Sequence, residues 1–110
     1  MEDNIFFSKR SGLDLITVQT LKKIFSKNNK VEKVILYGSR AKGNFKPGSD
    51  IDLTLVGESL TSDDLLSFQS EIYESSIPYK VDLSLFHHID NADLIEHVNR
   101  VGVEFFSLVK

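Results

Sequence analysis

Cysteine is absent from this 110-residue chain, which excludes disulfides, thiolate metal sites and a cysteine nucleophile. Its absence suits a reducing compartment. Long apolar runs are missing too: no stretch approaches the roughly 20 residues needed to cross a bilayer. Residues 1–10 open with acidic side chains and hold too short an apolar run for a signal peptide. The expected location is therefore cytoplasmic, with no membrane contact. Nor is positive charge in excess, since 13 Lys and Arg face 16 Asp and Glu for a net charge of −3. Proteins that grip nucleic acid usually gather Lys and Arg on one face. Nucleic acid is thus not an expected partner, although Arg40, Lys42 and Lys46 lie close together in sequence. Repeats, low-complexity tracts and interdomain linkers are also lacking.

What is present describes a soluble globular chain, 41% hydrophobic and 26% charged. Its length predicts one domain over residues 1–110, with residues 1–10 as an N-terminal arm in which Ile5, Phe6 and Phe7 have no assigned place. Ser11 and Asp14 resemble a capping box, with Asp for the usual Glu. Leu13, Ile16, Leu21, Ile24 and Phe25 then recur at helical spacing, predicting a helix over residues 12–27 that Asn28 and Asn29 end. Val34 to Tyr37 reads as a short buried strand, and residues 51–56 as a second. Thr61 caps a second long helix, whose Leu65, Phe68, Gln69 and Ile72 share a face with Leu66 and Tyr73 beside it; Pro78 forbids its continuation. Residues 80–86 alternate as a third strand. Asp90 starts a last helix with Gly102 as its C′ residue, and residues 103–108 form an edge strand or an irregular tail. The order α-β-loop-β-α-β-α predicts an α/β (α+β) fold, a small mixed sheet with helices packed against it.

Chemistry concentrates around the second strand. In Asp50-Ile51-Asp52-Leu53-Thr54-Leu55 the side chains alternate between faces. Ile51, Leu53 and Leu55 face the core, while Asp50 and Asp52 project from the opposite side, about 7 Å apart along the strand. Two carboxylates so placed repel one another unless a cation lies between them. The third strand repeats the pattern, with Val81, Leu83 and Leu85 on one face and Lys80, Asp82 and Ser84 on the other. If these strands are neighbours, Asp82 falls beside the first pair. Three carboxylates make a hard, oxygen-rich set suited to Mg²⁺, and two ions about 3.5–4 Å apart clamp the attacking and leaving oxygens of a phosphoryl or nucleotidyl transfer.

The loop before that strand supplies an anion holder. Gly38 and Ser39 follow a buried strand and begin a short helix through Ser39-Arg40-Ala41-Lys42. Glycine permits close backbone approach, and the first amides of such a turn face outward. Ser39 adds a hydroxyl; Arg40 and Lys42 add positive charge for a phosphate tail.

Gly38-Ser39-Arg40-Ala41-Lys42-Gly43 followed by Gly48-Ser49-Asp50-Ile51-Asp52-Leu53 resembles the signature of the DNA polymerase β-type nucleotidyltransferase superfamily, closest to its minimal nucleotidyltransferase branch. Asp82 in Val81-Asp82-Leu83 matches the third acidic position. The likeness covers about residues 12–102. It implies the nucleotidyltransferase fold, with catalytic, metal-holding Asp50, Asp52 and Asp82, and a nucleotide site at Gly38, Ser39, Arg40, Lys42 and Ser49. It implies two Mg²⁺ ions, for which Mn²⁺ substitutes, and ATP or another NTP as donor of a nucleoside monophosphate to a hydroxyl. Minimal members often accompany an all-helical HEPN-type partner, and some are antitoxins that adenylylate it. A domain this small has no evident second lobe for an acceptor, so a homodimer mate or such a helical partner is expected to complete the site. The alternative is a nucleotide-binding module that neutralises its partner by stoichiometric binding.

Other readings are weaker. Asp-x-Asp alone also serves glycosyltransferases. Gly38 to Gly43 has the gap of a P-loop, but Asn44-Phe45 stands where Lys and Ser or Thr belong. An EF-hand is excluded by Ile51, Leu53 and the missing glycine and terminal glutamate. His87 and His88 read as loop residues and His97 as surface. Phe25, Phe68 and Tyr73 read as core.

Overall fold

Alternation decides the sheet. Val34, Leu36, Ile51, Leu53, Leu55, Leu83 and Leu85 are all buried, and they take every second position along three segments, so each segment turns one face to hydrocarbon. In the computed structural model, which describes residues 8–108, the elements follow as α1 (Leu15–Ser26), β1 (Lys33–Tyr37), α2 (Ser39–Lys42), β2 (Ile51–Val56), α3 (Ser62–Glu74), β3 (Val81–Leu85), a 3-10 turn (Phe86–His88), α4 (Ala92–Val101) and β4 (Val103–Ser107). The four strands form one mixed sheet in the order β3-β2-β1-β4. β1 pairs antiparallel with β2 and β4, and β2 pairs parallel with β3. The parallel pair is possible because α3 supplies the crossover.

Helices α1 and α3 cover the apolar face. Phe25 of α1 anchors this layer, meeting Phe68 of α3 edge-on at 5.5 Å and Phe105 of β4 at 6.4 Å between ring centroids. Fully burying a side chain of this size contributes roughly 1.5–3 kcal/mol. Polar ties hold the start of α3 to the α1–β1 connection. Thr61 caps α3 in a reciprocal box with Asp64, and Asp64 also meets Lys30 at 2.6 Å and Asn28 at 3.2 Å. Helix α4 lies on the opposite face, against β1, where a methyl group added at Gly102 would come within 2.6 Å of Ile35. It covers only part of that face. The polar side of β2 and β3 is left to the site.

Several boundaries differ from the sequence expectation. Residues 8–11 are helical, while Ile5, Phe6 and Phe7 lie outside the described residues. Ser11 ends that turn and Gly12 breaks it at φ +73; α1 then starts after Asp14, whose side chain makes no capping bond. Because α1 buries Thr17, Val18, Leu21, Ile24 and Phe25, Ile16 falls off the buried stripe and is 72% exposed. Tyr73 is 89% exposed, since α3 turns Phe68 inward and Tyr73 lies five residues, or about 140°, around the helix from it. Phe86 leaves β3 for the 3-10 turn, and His87 and His88 sit exposed on that turn. The last helix is capped by Asn91 rather than Asp90, and Gly102 turns out of it at φ −62 directly into β4, not in a left-handed C′ conformation. β4 is the strand outcome of the two expected for the tail.

Candidate active site

One row of side chains crosses three strands. Tyr37 is the register partner of Asp52 across β1 and β2, and Asp52 is the register partner of Asp82 across β2 and β3. Register partners share a face, so a phenol and two carboxylates stand side by side, away from the apolar layer. The next row carries Thr54 and Ser84. Ser84 Oγ donates to Thr54 Oγ1 at 2.9 Å. Asp50 stands exposed, one position ahead of β2.

The loop after β1 closes over this row. Gly38 takes φ +76 and ψ −158, a region open essentially to glycine. A Cβ there would stand 2.4 Å from Asp52 Oδ2, so the backbone of Gly38 packs directly on the carboxylate. The Gly38 N–H donates to His97 Nε2 at 3.3 Å, and the imidazole packs edge-on against Tyr37 at 6.1 Å. Ser39 then opens α2, whose Lys42 is exposed. The first amides of any such turn lack intrahelical acceptors.

The charges here are of one sign. Burial pushes the Asp52 carboxyl above the usual carboxylate range; Asp82 and Asp50 push it further, and His97 opposes them. Burial likewise raises the Tyr37 phenol, with Ser84 pulling it down and Asp82 and Asp52 pushing it up. Among the described residues, no ion pair involves Asp50, Asp52 or Asp82. Clustered carboxylates without a cationic side chain match the donor set of a hard divalent ion. They do not form a closed cage: among the described residues, no three His, Cys, Asp or Glu side chains converge to hold a metal. Asp52 and Asp82 are the in-register pair, and Asp50 lies at the rim.

Two sequence-predicted residues also make bonds within the protein. Arg40, expected at the phosphate, is 1% exposed. Its Nη1 donates to the Ser11 carbonyl at 2.9 Å, and its Nε and Nη2 donate to the Ser49 carbonyl at 3.2 and 3.0 Å. The guanidinium lies over Phe45 at 5.1 Å and Tyr79 at 4.9 Å. It clamps the loop that delivers Asp50. Ser49 accepts the Lys46 N–H on Oγ at 2.9 Å, so its hydroxyl helps shape the same loop. Conversely, Tyr37 and His97 were not expected here. Tyr37 was legible as the residue between buried Leu36 and the glycine turn. His97 had no local signal, because its partner is 59 residues away.

Comparison with known proteins agrees with this fold. The family described as Polymerase beta, Nucleotidyltransferase matches residues 19–108. Among solved structures, a chain of a toxin–antitoxin complex with AMP-PNP superposes with a TM-score of 0.68 at 21% identity, over 82% of this chain and 73% of that one. A chain of the MntA–HepT toxin–antitoxin complex gives 0.63 at 18% identity, over 86% and 73%. A third structure holds the tri-AMPylated Shewanella oneidensis HEPN toxin with its MNT antitoxin; it gives 0.61 at 17% identity, over 84% and 71%. No curated protein shows significant sequence similarity. Among the described residues, no helix is long and apolar enough to cross a membrane.

Proposed function

The chain belongs to the Polymerase beta nucleotidyltransferase family, and from that premise we propose that it transfers AMP from ATP to a hydroxyl of a helical partner protein of the HEPN type. The observation that carries the reading is the in-register pair Asp52 and Asp82, with the Gly38 backbone packed on Asp52. A glycine turn beside a carboxylate patch is what supports this reading. A metal-bound triphosphate needs both within one reach.

The roles follow from position. Gly38, Ser39 and exposed Lys42 receive the phosphate tail of the donor, through backbone N–H groups, a hydroxyl and an ammonium. Asp50, Asp52 and Asp82 hold divalent ions, two Mg²⁺ with Mn²⁺ able to replace them. Nucleotidyltransferases of this fold generally use such ions, which neutralise charge developing on the reacting oxygens. Asp82 lies on the sheet's edge strand and is exposed, open to an incoming acceptor. Its carboxylate takes the proton of the acceptor hydroxyl as that oxygen bonds to the α-phosphorus. The bond from the α-phosphorus to the α–β bridging oxygen breaks, and pyrophosphate leaves. The toxin–antitoxin structures with AMP-PNP and with an AMPylated HEPN toxin support the choice of donor and acceptor.

The test incubates the protein with Mg²⁺, α-labelled ATP and a candidate helical partner. Label should appear on the partner with release of pyrophosphate, and should vanish in Asp50→Asn and Asp52→Asn. Undiminished labelling by those variants would end the carboxylate assignment. A triple carboxylate variant that still neutralises the partner would favour stoichiometric binding instead.

A further inference from the structure

We infer that His97 is a positioning residue of the donor-phosphate site: from α4 its Nε2 accepts the Gly38 N–H and fixes the glycine peptide that packs on Asp52. This rests on the nucleotidyltransferase reading and deepens it. The β1–β2 ladder ends at the pair Tyr37 and Asp52, so the Gly38 peptide lies beyond the last sheet pairing. Glycine is also the residue with most conformational freedom to lose, and here it must hold φ +76, ψ −158. Some acceptor has to orient that peptide, and His97 Nε2 supplies it at 3.3 Å.

The placement of His97 is secured by α4 rather than by the loop. Asn91 caps the helix by accepting the Leu94 N–H at 3.1 Å, and Val98, next to His97, is buried. At the far end, Gly102 lies so close to β1 that a Cβ would come within 2.6 Å of Ile35. The imidazole is further held edge-on to Tyr37. An acceptor on Nε2 puts the ring proton on Nδ1. A rigid helix thus reaches across the open face and pins the one peptide on which the phosphate turn and the carboxylate patch both depend.

Two contacts therefore need separating, the ring packing on Tyr37 and the hydrogen bond to Gly38. His97→Phe keeps an aromatic edge but has no acceptor. His97→Gln loses the ring but offers an amide oxygen. AMP-PNP affinity is measured directly, alongside KM for ATP and kcat in the labelled transfer, with thermal unfolding of each variant as the folding control. His97→Phe should weaken AMP-PNP binding and raise KM about tenfold, the scale of one hydrogen bond, with a smaller change in kcat. His97→Gln should stay within about threefold of the parent. If the Phe variant binds AMP-PNP like the parent, or the Gln variant binds as weakly as the Phe variant, the positioning role is overturned. A parent protein that fails to bind AMP-PNP removes the nucleotidyltransferase reading and this role together.

Discussion

Asp52 and Asp82 are register partners across the parallel β2–β3 pair, two carboxylates directly abreast where a sheet ordinarily avoids like charges. Strands at this spacing lie roughly 4.8 Å apart. The pair has no cationic partner among the described ion pairs, and its repulsion adds to the burial that raises the Asp52 carboxyl. An acid whose folded pKa is raised costs stability once pH climbs above its ordinary value, and the cost persists at neutral pH.

The first prediction follows from that sign. Asp52→Asn should melt higher than the parent without divalent ions. Exposed charge interactions amount to about 0.2–1 kcal/mol, and each kcal/mol shifts Tm by roughly 4–8 °C in a chain of this size. A rise of about 1–8 °C is expected. The same variant should lose label transfer by at least about 100-fold. Mg²⁺ should raise the Tm of the parent, by binding only the folded form, and leave Asp52→Asn nearly unmoved. A variant that melts lower in the absence of metal would contradict the repulsion argument.

Gly38 and Gly43 offer a matched comparison. Both have positive φ, +76 and +85, but a Cβ at Gly38 meets Asp52 Oδ2 at 2.4 Å while one at Gly43 meets nothing within 4 Å. Left-handed backbone costs a non-glycine residue about 1–2 kcal/mol. Gly43→Ala should lose about that much in urea unfolding and keep its activity. Gly38→Ala should lose about 1–3 kcal/mol, because its conformation is more restricted still, and should also lose transfer because the carboxylate is displaced. Equal activities in the two variants would show that close approach to Asp52 is immaterial.

The parts legible in the sequence share a local cause. Period-two alternation fixed which side of β2 and β3 carries Asp52 and Asp82, and the glycine turn after β1 was readable from composition. The in-register meeting of Asp52 and Asp82 needed only that β2 and β3 be neighbours. What failed to show depended on distant partners. Arg40 in a glycine-rich loop reads as a cation for a phosphate tail; its burial depends on carbonyls at Ser11 and Ser49 and on the rings of Phe45 and Tyr79. His97 sits on an amphipathic helix, and only the docking of α4 on β1 turns it to Gly38. Tyr73 was misplaced because the apolar stripe of α3 is narrower than its sequence suggests, with Phe68 its only fully buried member.

Asp64 predicts an acid limb in the stability profile. Its carboxyl is lowered to about 2, chiefly by the hydrogen bond from Lys30, then by the Thr61 backbone N–H. A depressed folded pKa contributes stability that is complete above the unfolded value near 3.8 and is lost as pH falls toward about 2. Tm should therefore fall between pH 4 and pH 2, and Asp64→Asn should flatten that part of the curve. Thr61→Ala, which removes the cap that Asp64 reciprocates, should cost about 1 kcal/mol at neutral pH. An Asp64→Asn profile as steep as the parent's would assign the acid transition to other carboxylates.

Arg40 separates a clamp from a phosphate ligand. As a ligand, its replacement by lysine would leave stability intact and weaken nucleotide binding, since lysine still presents a cation. As a clamp, it must satisfy the Ser11 and Ser49 carbonyls while sitting over two rings, and an ammonium cannot do both. Hydrogen bonds from a charged donor are worth about 1.5–3 kcal/mol each when buried, and losing one leaves a carbonyl without its partner. Arg40→Lys should therefore destabilise the chain by about 2 kcal/mol and lower Tm by roughly 8–16 °C. Lys42→Ala, on the exposed side of the same short helix, should leave Tm within about 2 °C and instead weaken AMP-PNP binding. Because the Ser49 carbonyl precedes Asp50 directly, Arg40→Lys should also lower kcat at a temperature where the variant is still folded. Measured together, the two Tm values and the two AMP-PNP affinities decide the matter: unchanged Tm with weakened binding in Arg40→Lys would return Arg40 to the phosphate.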